Sequence, residues 1–143
     1  GTASPATIRR MQYRFETETS LRWVDVDSAG VVNNAVYLSL MEQARFAYFS
    51  HLGVMSDHRV PFVLAEATVR WLRPGRLGMP VRVAAATTRL GTSSFEMRYE
   101  VRAGDAVLCE ATAVLVFVDD EMQPAPIPDA YRGAVAAFEQ LRC

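Results

Sequence analysis

Asp25 and Asp27 stand two residues apart, just ahead of the only long helical pattern in the middle of the chain. The stretch runs from Trp23 to Gly53, through Asp25-Val26-Asp27-Ser28-Ala29-Gly30 and Asn33-Asn34 into residues 35–52. A helix start carries free backbone N–H groups and about half a positive charge. A carboxylate beside such donors suits acyl transfer: one supplies a base or a nucleophile, the other binds a developing oxyanion. Asp27 is the candidate catalytic carboxylate. The amides from Gly30 and Val32 to Asn33 and Asn34 are the candidate oxyanion donors. No other machine is legible: there is no G-x-S-x-G elbow, Cys–His pair, phosphate loop or G-x-G-x-x-G. All fifteen cationic residues are arginines, which excludes Schiff-base and lysine-base mechanisms.

The elements that must position these groups follow from periodicity. Residues 12–25 alternate, with Tyr13, Phe15, Thr17, Thr19, Leu21 and Trp23 on one side, and predict a half-buried strand. Residues 35–52 repeat every 3.6 residues through Tyr37, Leu40, Met41, Ala44 and Tyr48, widened by Val36, Leu38, Phe46 and Phe49. Asn33 or Asn34 can cap that helix, and Gly53 suits its end. Four strands follow over 61–73, 79–90, 94–103 and 106–118, separated by turn residues. In 94–103 the charges Glu96, Arg98, Glu100 and Arg102 predict a wet outer face. The almost wholly apolar 106–118 predicts a strand covered on both faces. A short C-terminal helix over 129–141 completes an α+β pattern, an antiparallel sheet with a helix on one face.

At 143 residues the chain fits one domain over 1–143, with 1–11 a flexible segment. A net charge of −1 gives no basic surplus for nucleic acid, and no apolar run is long enough for a membrane span. Cys109 and Cys143 form neither a disulfide framework nor a zinc set, and His51 and His58 are the only histidines. The expectation is a cytoplasmic protein without a metal or cofactor.

The string Asp25-Val26-Asp27-Ser28-Ala29-Gly30-Val31-Val32-Asn33-Asn34, with Tyr37 and Glu42-Gln43-Ala44-Arg45, resembles the signature of the 4-hydroxybenzoyl-CoA thioesterase family. Trp71-Leu72-Arg73-Pro74-Gly75, Gly78 and Gly91-Thr92-Ser93-Ser94-Phe95 are similar to later segments of it, so the likeness spans roughly 12–130. It implies the hotdog fold, an antiparallel sheet wrapped around one long central helix, and hydrolysis of a thioester. Carried over, the catalytic carboxylate falls on Asp27, the turn glycine on Gly30 and the carbonyl-polarising N–H near Asn34. Asp25 stays structural, and Val31 stands where many members carry His.

The substrate expected is an acyl-CoA or acyl-carrier-protein thioester, with CoA as part of the substrate rather than a cofactor. A non-hydrolytic acyl-CoA-binding module is the alternative from another class. The resemblance further implies a homodimer or a dimer-of-dimers tetramer, with the 61–73 strand at the shared edge. The pocket wall would then combine Tyr37 and Met41 of one chain with Val60, Pro61, Ser93 and Ser94 of another. Glu42 and Arg45, three residues apart, can form a plain helix-face pair or, on so apolar a helix, a buried, hydrogen-bonded pair near the site. Whether Asp27 attacks directly or activates water is open.

Overall fold

The computed structural model describes residues 11–22, 26–55 and 61–142. The residues expected to form most of the flexible N-terminal segment, 1–10, lie outside this description, as do Trp23, Asp25, His58, Val60 and Cys143. In chain order the elements are β1 (Phe15–Ser20), α1 (Val36–His51), β2 (Phe62–Trp71), β3 (Pro80–Leu90), β4 (Ser94–Ala103), β5 (Ala106–Phe117) and α2 (Asp129–Glu139). One five-stranded sheet runs in the order β1-β3-β4-β5-β2, antiparallel at every step. The chain therefore has one long helix lying against one antiparallel sheet, the hotdog arrangement.

Side-chain alternation builds the sheet's inner face. In β4, Phe95, Met97, Tyr99 and Val101 are buried beneath α1, which turns Tyr37, Leu40, Met41, Ala44, Tyr48 and Phe49 inward. Rings from both layers meet at one end of the core. Phe49 lies 5.3 Å from Phe62 and 5.8 Å from Phe95, and Phe117 lies 5.0 Å from Tyr131 of α2. Tilted and edge-on pairs at such spacings add to the burial of large apolar side chains. α2 is tied down by Glu139, whose Oε2 accepts from the Tyr48 hydroxyl at 2.7 Å and the Thr87 N–H at 2.8 Å.

Three expectations about the sheet need correction. The outer face of β4 is not uniformly wet, since Glu100 is only 6% exposed. Arg102 folds back to donate to it at 2.9 Å, bridges on to Glu16, and lies over the Tyr13 ring. Glu100 and Arg102 are thus tied to each other and to Glu16, while Arg98 stays exposed. β5 is not covered equally on both faces: buried and half-buried residues alternate along it, because only one face carries a helix. β1 is also shorter than the 12–25 run, ending at Ser20.

β2 lies at a sheet edge. It pairs with β5 from Phe62↔Phe117 to Trp71↔Cys109, with a bulge between Leu64 and Glu66, and most of it is exposed. An unpaired edge ten residues long is a template for another strand. The other edge, β1, is shorter, at six residues.

Candidate active site

The loop before α1 is a tight hairpin closed by backbone bonds: Asp27 N–H donates to Val31 O at 2.9 Å, and Gly30 N–H to Asp27 O at 2.9 Å. Gly30 sits at φ +78°, a region that side chains disfavour, so a glycine there closes the turn without strain. The Asp27 side chain completes the loop. Its Oδ1 accepts from Ala29 N–H at 2.9 Å and Val31 N–H at 3.2 Å. That Asx geometry accounts for an aspartate here on structural grounds alone. It also fixes the carboxylate's direction and leaves Oδ2 without a hydrogen bond among the described residues, on an exposed side chain.

The candidate oxyanion donors divide. Gly30 N–H is engaged by Asp27 O, and Val32 N–H donates to Gly75 O at 2.8 Å, so neither is open to a ligand. Asn33 and Asn34 N–H groups have no acceptor among the described residues, and both residues are exposed. The expected donor set therefore contracts to those two. The Asn33 carboxamide Oδ1 accepts from Ala35 N–H at 3.0 Å, one residue ahead of the helix, and Asn34 contributes no side-chain cap. Of the two cap candidates, Asn33 is the one that bonds the backbone.

A second loop, 72–79, which the sequence marks as a turn through Arg73-Pro74-Gly75, braces the first. Besides receiving Val32 N–H, it places Arg76 opposite Val31 in an isolated bridge. Trp71 Nε1 donates to Asn34 O at 3.3 Å. The Tyr37 hydroxyl packs against Gly75, where an added Cβ would lie only 2.8 Å away. Within one chain Tyr37 is therefore a core side chain, 1% exposed, that supports the helix start. Met41 is buried as well but reaches a cavity wall between α1 and the sheet.

The Glu42–Arg45 pair does not form. Arg45 turns under the helix and donates to the Tyr99 hydroxyl of β4 at 2.8 Å, while Glu42, one turn away, is exposed. Arg45 is 8% exposed, and its nearest polar partner is the sheet rather than its helix neighbour.

Pro61, Ser93 and Ser94 are brought together, but away from Asp27. Val118 N–H donates to Pro61 O at 2.9 Å and Phe117 N–H to Ser93 O at 2.8 Å, so both flank the end of β5. They lie at the Phe62 end of β2, whereas the Asp27 loop lies at its Trp71 end. A ten-residue strand separates those ends by about 30 Å. Ser94 opens β4 beside them. Val60 lies outside the described residues.

Cys109 is fully buried, and desolvation pushes its thiol up to about 12. A raised thiol pKa keeps the group protonated below that pH, and the thiol is not a nucleophile. In a Cys143→Ser background, Cys109 is expected to resist a disulfide reagent at pH 8 in the native state and to react on unfolding. Prompt native-state labelling would show an open path to it. Among the described residues, no three His, Cys, Asp or Glu side chains gather as a metal set, and no helix is long and apolar enough to cross a membrane.

Comparison with known proteins fits this geometry. A family model described as the thioesterase-like superfamily matches residues 21–135. The chain is 32% identical over 133 residues to the acyl-CoA thioester hydrolase YbgC of Escherichia coli, covering 88% of this chain and 96% of that one. It is 27% identical to the chloroplastic acyl-acyl carrier protein thioesterase ATL3 of Arabidopsis thaliana, covering 86% of this chain and 68% of that one. The crystal structure of a thioesterase from Thermus thermophilus, complexed with coenzyme A and Zn, superposes with a TM-score of 0.83 at 36% identity, covering 92% of this chain and 98% of that one. With the family model spanning the loop, α1 and the whole sheet from β2 to β5, the chain belongs to the thioesterase-like superfamily.

Proposed function

We propose that the protein hydrolyses an acyl-CoA thioester to a carboxylic acid and free CoA, with Asp27 supplying the carboxylate and the Asn33 and Asn34 N–H groups the oxyanion site. The observation that carries this reading is the loop itself. Among the described residues, one Asp27 oxygen is held by two amides, the other accepts no hydrogen bond, and two N–H groups without an acceptor follow within seven residues at a helix start. In one form of the reaction Asp27 takes a proton from water, the hydroxide adds to the carbonyl carbon, and the C–S bond breaks as the proton passes to the leaving thiolate. In the other, Asp27 Oδ2 attacks the carbonyl carbon and expels the CoA thiolate to give an anhydride; water then opens the anhydride, releasing the acid, regenerating the Asp27 carboxylate and supplying the proton that the thiolate takes up. Both place negative charge on the carbonyl oxygen, where the helix-start amides stabilise it.

Release of free thiol across a panel of acyl-CoA substrates tests the proposal. Turnover of at least one substrate is expected. Binding of acyl-CoA with no thiol released would instead make the protein a binding module. The likeness to ATL3 favours a second reading, in which the thioester is presented on a carrier protein. Including an acyl-carrier-protein substrate in the panel separates the two by kcat/KM.

The working unit in this proposal is at least a homodimer joined along β2. Leu64, 47% exposed on β2, shares cavity walls with the exposed Leu38 and Phe46 of α1. A two-fold antiparallel pairing of β2 with its copy sets the Phe62 end of one strand against the Trp71 end of the other. Pro61 and Ser93 of a second copy would then close over the Asp27 loop, which resolves their separation within one chain. Sedimentation at micromolar concentration is expected to give a dimer or larger. A strictly monomeric, active species would sink the shared-edge arrangement.

A further inference from the structure

The thioesterase reading leaves one buried charge unexplained. Arg45 is 8% exposed, yet among the described residues it makes one hydrogen bond, from Nη1 to the Tyr99 hydroxyl at 2.8 Å. Tyr99 in turn donates to Met97 Sδ at 3.3 Å, so its oxygen is left to accept. Burial raises the Tyr99 pKa even though Arg45 pulls it down, so the phenol stays neutral and brings no countercharge. A guanidinium has five N–H donors; the Tyr99 oxygen accepts from one and the Tyr99 ring lies 5.9 Å from the guanidinium carbon, and leaving the other donors of a desolvated cation unmet is costly. Among the described residues no carboxylate forms an ion pair with it.

The remaining face of Arg45 is turned towards two adjoining cavities between α1 and β2, of about 220 and about 100 Å³. Arg45, Glu42 and Leu64 line both, and the rest of the wall is mostly apolar. The smaller cavity begins at Leu38 and Ser39, in the first turn of α1, the turn that follows Asn33 and Asn34 in the chain. The larger continues past Arg45 to Phe62 and Leu115. A chain entering from the helix start therefore meets apolar walls first and a cation after them. Nine residues of α-helix separate Val36 from Arg45, a rise of about 14 Å, and helical side chains lean back towards the N-terminus. Glu42 on the same wall adds an acceptor beside the Arg45 donors, a combination suited to a hydroxyl, which both donates and accepts.

Resting on the acyl-CoA reading, we infer that this groove holds the acyl group and that Arg45 selects acyl chains of medium length bearing a hydroxyl near the far end. A site built to hydrogen-bond a substrate hydroxyl discriminates strongly against the analogue without it, because its own buried polar groups are then left unpaired. Short acyl groups such as benzoyl do not span the distance and do not sense Arg45.

The test compares decanoyl-CoA, 10-hydroxydecanoyl-CoA and benzoyl-CoA by thiol release. The wild type is expected to prefer the hydroxylated chain over the plain one by about 10- to 100-fold in kcat/KM, the scale of a hydrogen bond to a charged group. Arg45→Met should erase the preference for 10-hydroxydecanoyl-CoA over decanoyl-CoA, chiefly through the KM of the hydroxylated chain. Arg45→Lys should retain part of it. Equal or better turnover of the plain chain by the wild type would overturn the inference without needing any variant to fold. So would an Arg45→Met protein that loses all three substrates equally, or one that dissociates, since either assigns Arg45 to packing or to the contact between copies. Failure to release thiol from any substrate would instead count against the acyl-CoA hydrolase reading itself.

Discussion

Asp27→Asn is expected to bind acyl-CoA with near-normal affinity and to hydrolyse it about 10²- to 10⁴-fold more slowly, the range for a lost general base. The substitution is unusually clean here. The loop uses only Oδ1, which accepts from Ala29 and Val31 N–H, and an asparagine carbonyl can accept the same two bonds. What disappears is the open, charged Oδ2. A purely structural Asp27 therefore predicts little change in either melting temperature or rate. A catalytic one predicts a fall in kcat with the fold intact. Asp25→Asn is the control expected to keep most of its activity. Single-turnover hydrolysis with binding measured separately distinguishes these outcomes, and normal turnover by the Asp27 variant would end the mechanism proposed above. A larger loss than 10⁴, or trapping of an acyl group on the wild-type protein, would favour direct attack over base catalysis.

How much of this was readable from the chain depended on range. Period-two alternation placed β4, whose inward residues Phe95, Met97, Tyr99 and Val101 are all buried, and the 3.6 repeat placed α1 within a residue or two. Both patterns are local consequences of one buried face. The Asp27 loop was also legible, because an aspartate, a turn glycine and a helix start within eight residues constrain one another. The partners of the site were not. Arg45 lay three residues from Glu42, the obvious mate, yet its acceptor is 54 residues away in the sequence, on a strand whose distance from α1 only the folded sheet determines. Nor could spacing show that Val32 N–H is occupied by Gly75 O while Asn33 and Asn34 stay open. The outer face of β4 misled for a related reason. Alternating charges read as solvated until Arg102, two residues along the same strand, is seen to fold back over Glu100 and to reach Glu16 of β1, two strands away.

The brace behind the site yields the second large effect. Gly75→Ala is expected to lower the melting temperature by roughly 3–10 °C and kcat/KM by about 10²-fold. A Cβ at position 75 would lie 2.8 Å from the Tyr37 hydroxyl, 3.2 Å from Val32 Cγ2 and 3.3 Å from Leu21 Cδ1. All three belong to buried side chains, so the strain cannot be relieved into solvent, and overpacking of this kind costs about 1–3 kcal/mol. The cheapest relaxation moves the 72–79 loop outward, and that loop holds Val32 N–H through Gly75 O, two residues from the Asn34 amide. A shift of about 1 Å there misaligns the proposed oxyanion donors with Asp27, which is enough to cost the rate quoted. The closest contact suggests its own rescue. Tyr37→Phe removes the oxygen at 2.8 Å, so Tyr37→Phe/Gly75→Ala should recover part of the stability and activity that Gly75→Ala loses, although Tyr37→Phe alone costs a little. The interaction energy from that double-mutant cycle should be favourable and above the few tenths of a kcal/mol seen for independent sites. If Gly75→Ala melts and turns over like the wild type, or if removing the Tyr37 hydroxyl recovers nothing, the close approach of the two loops does not position the site.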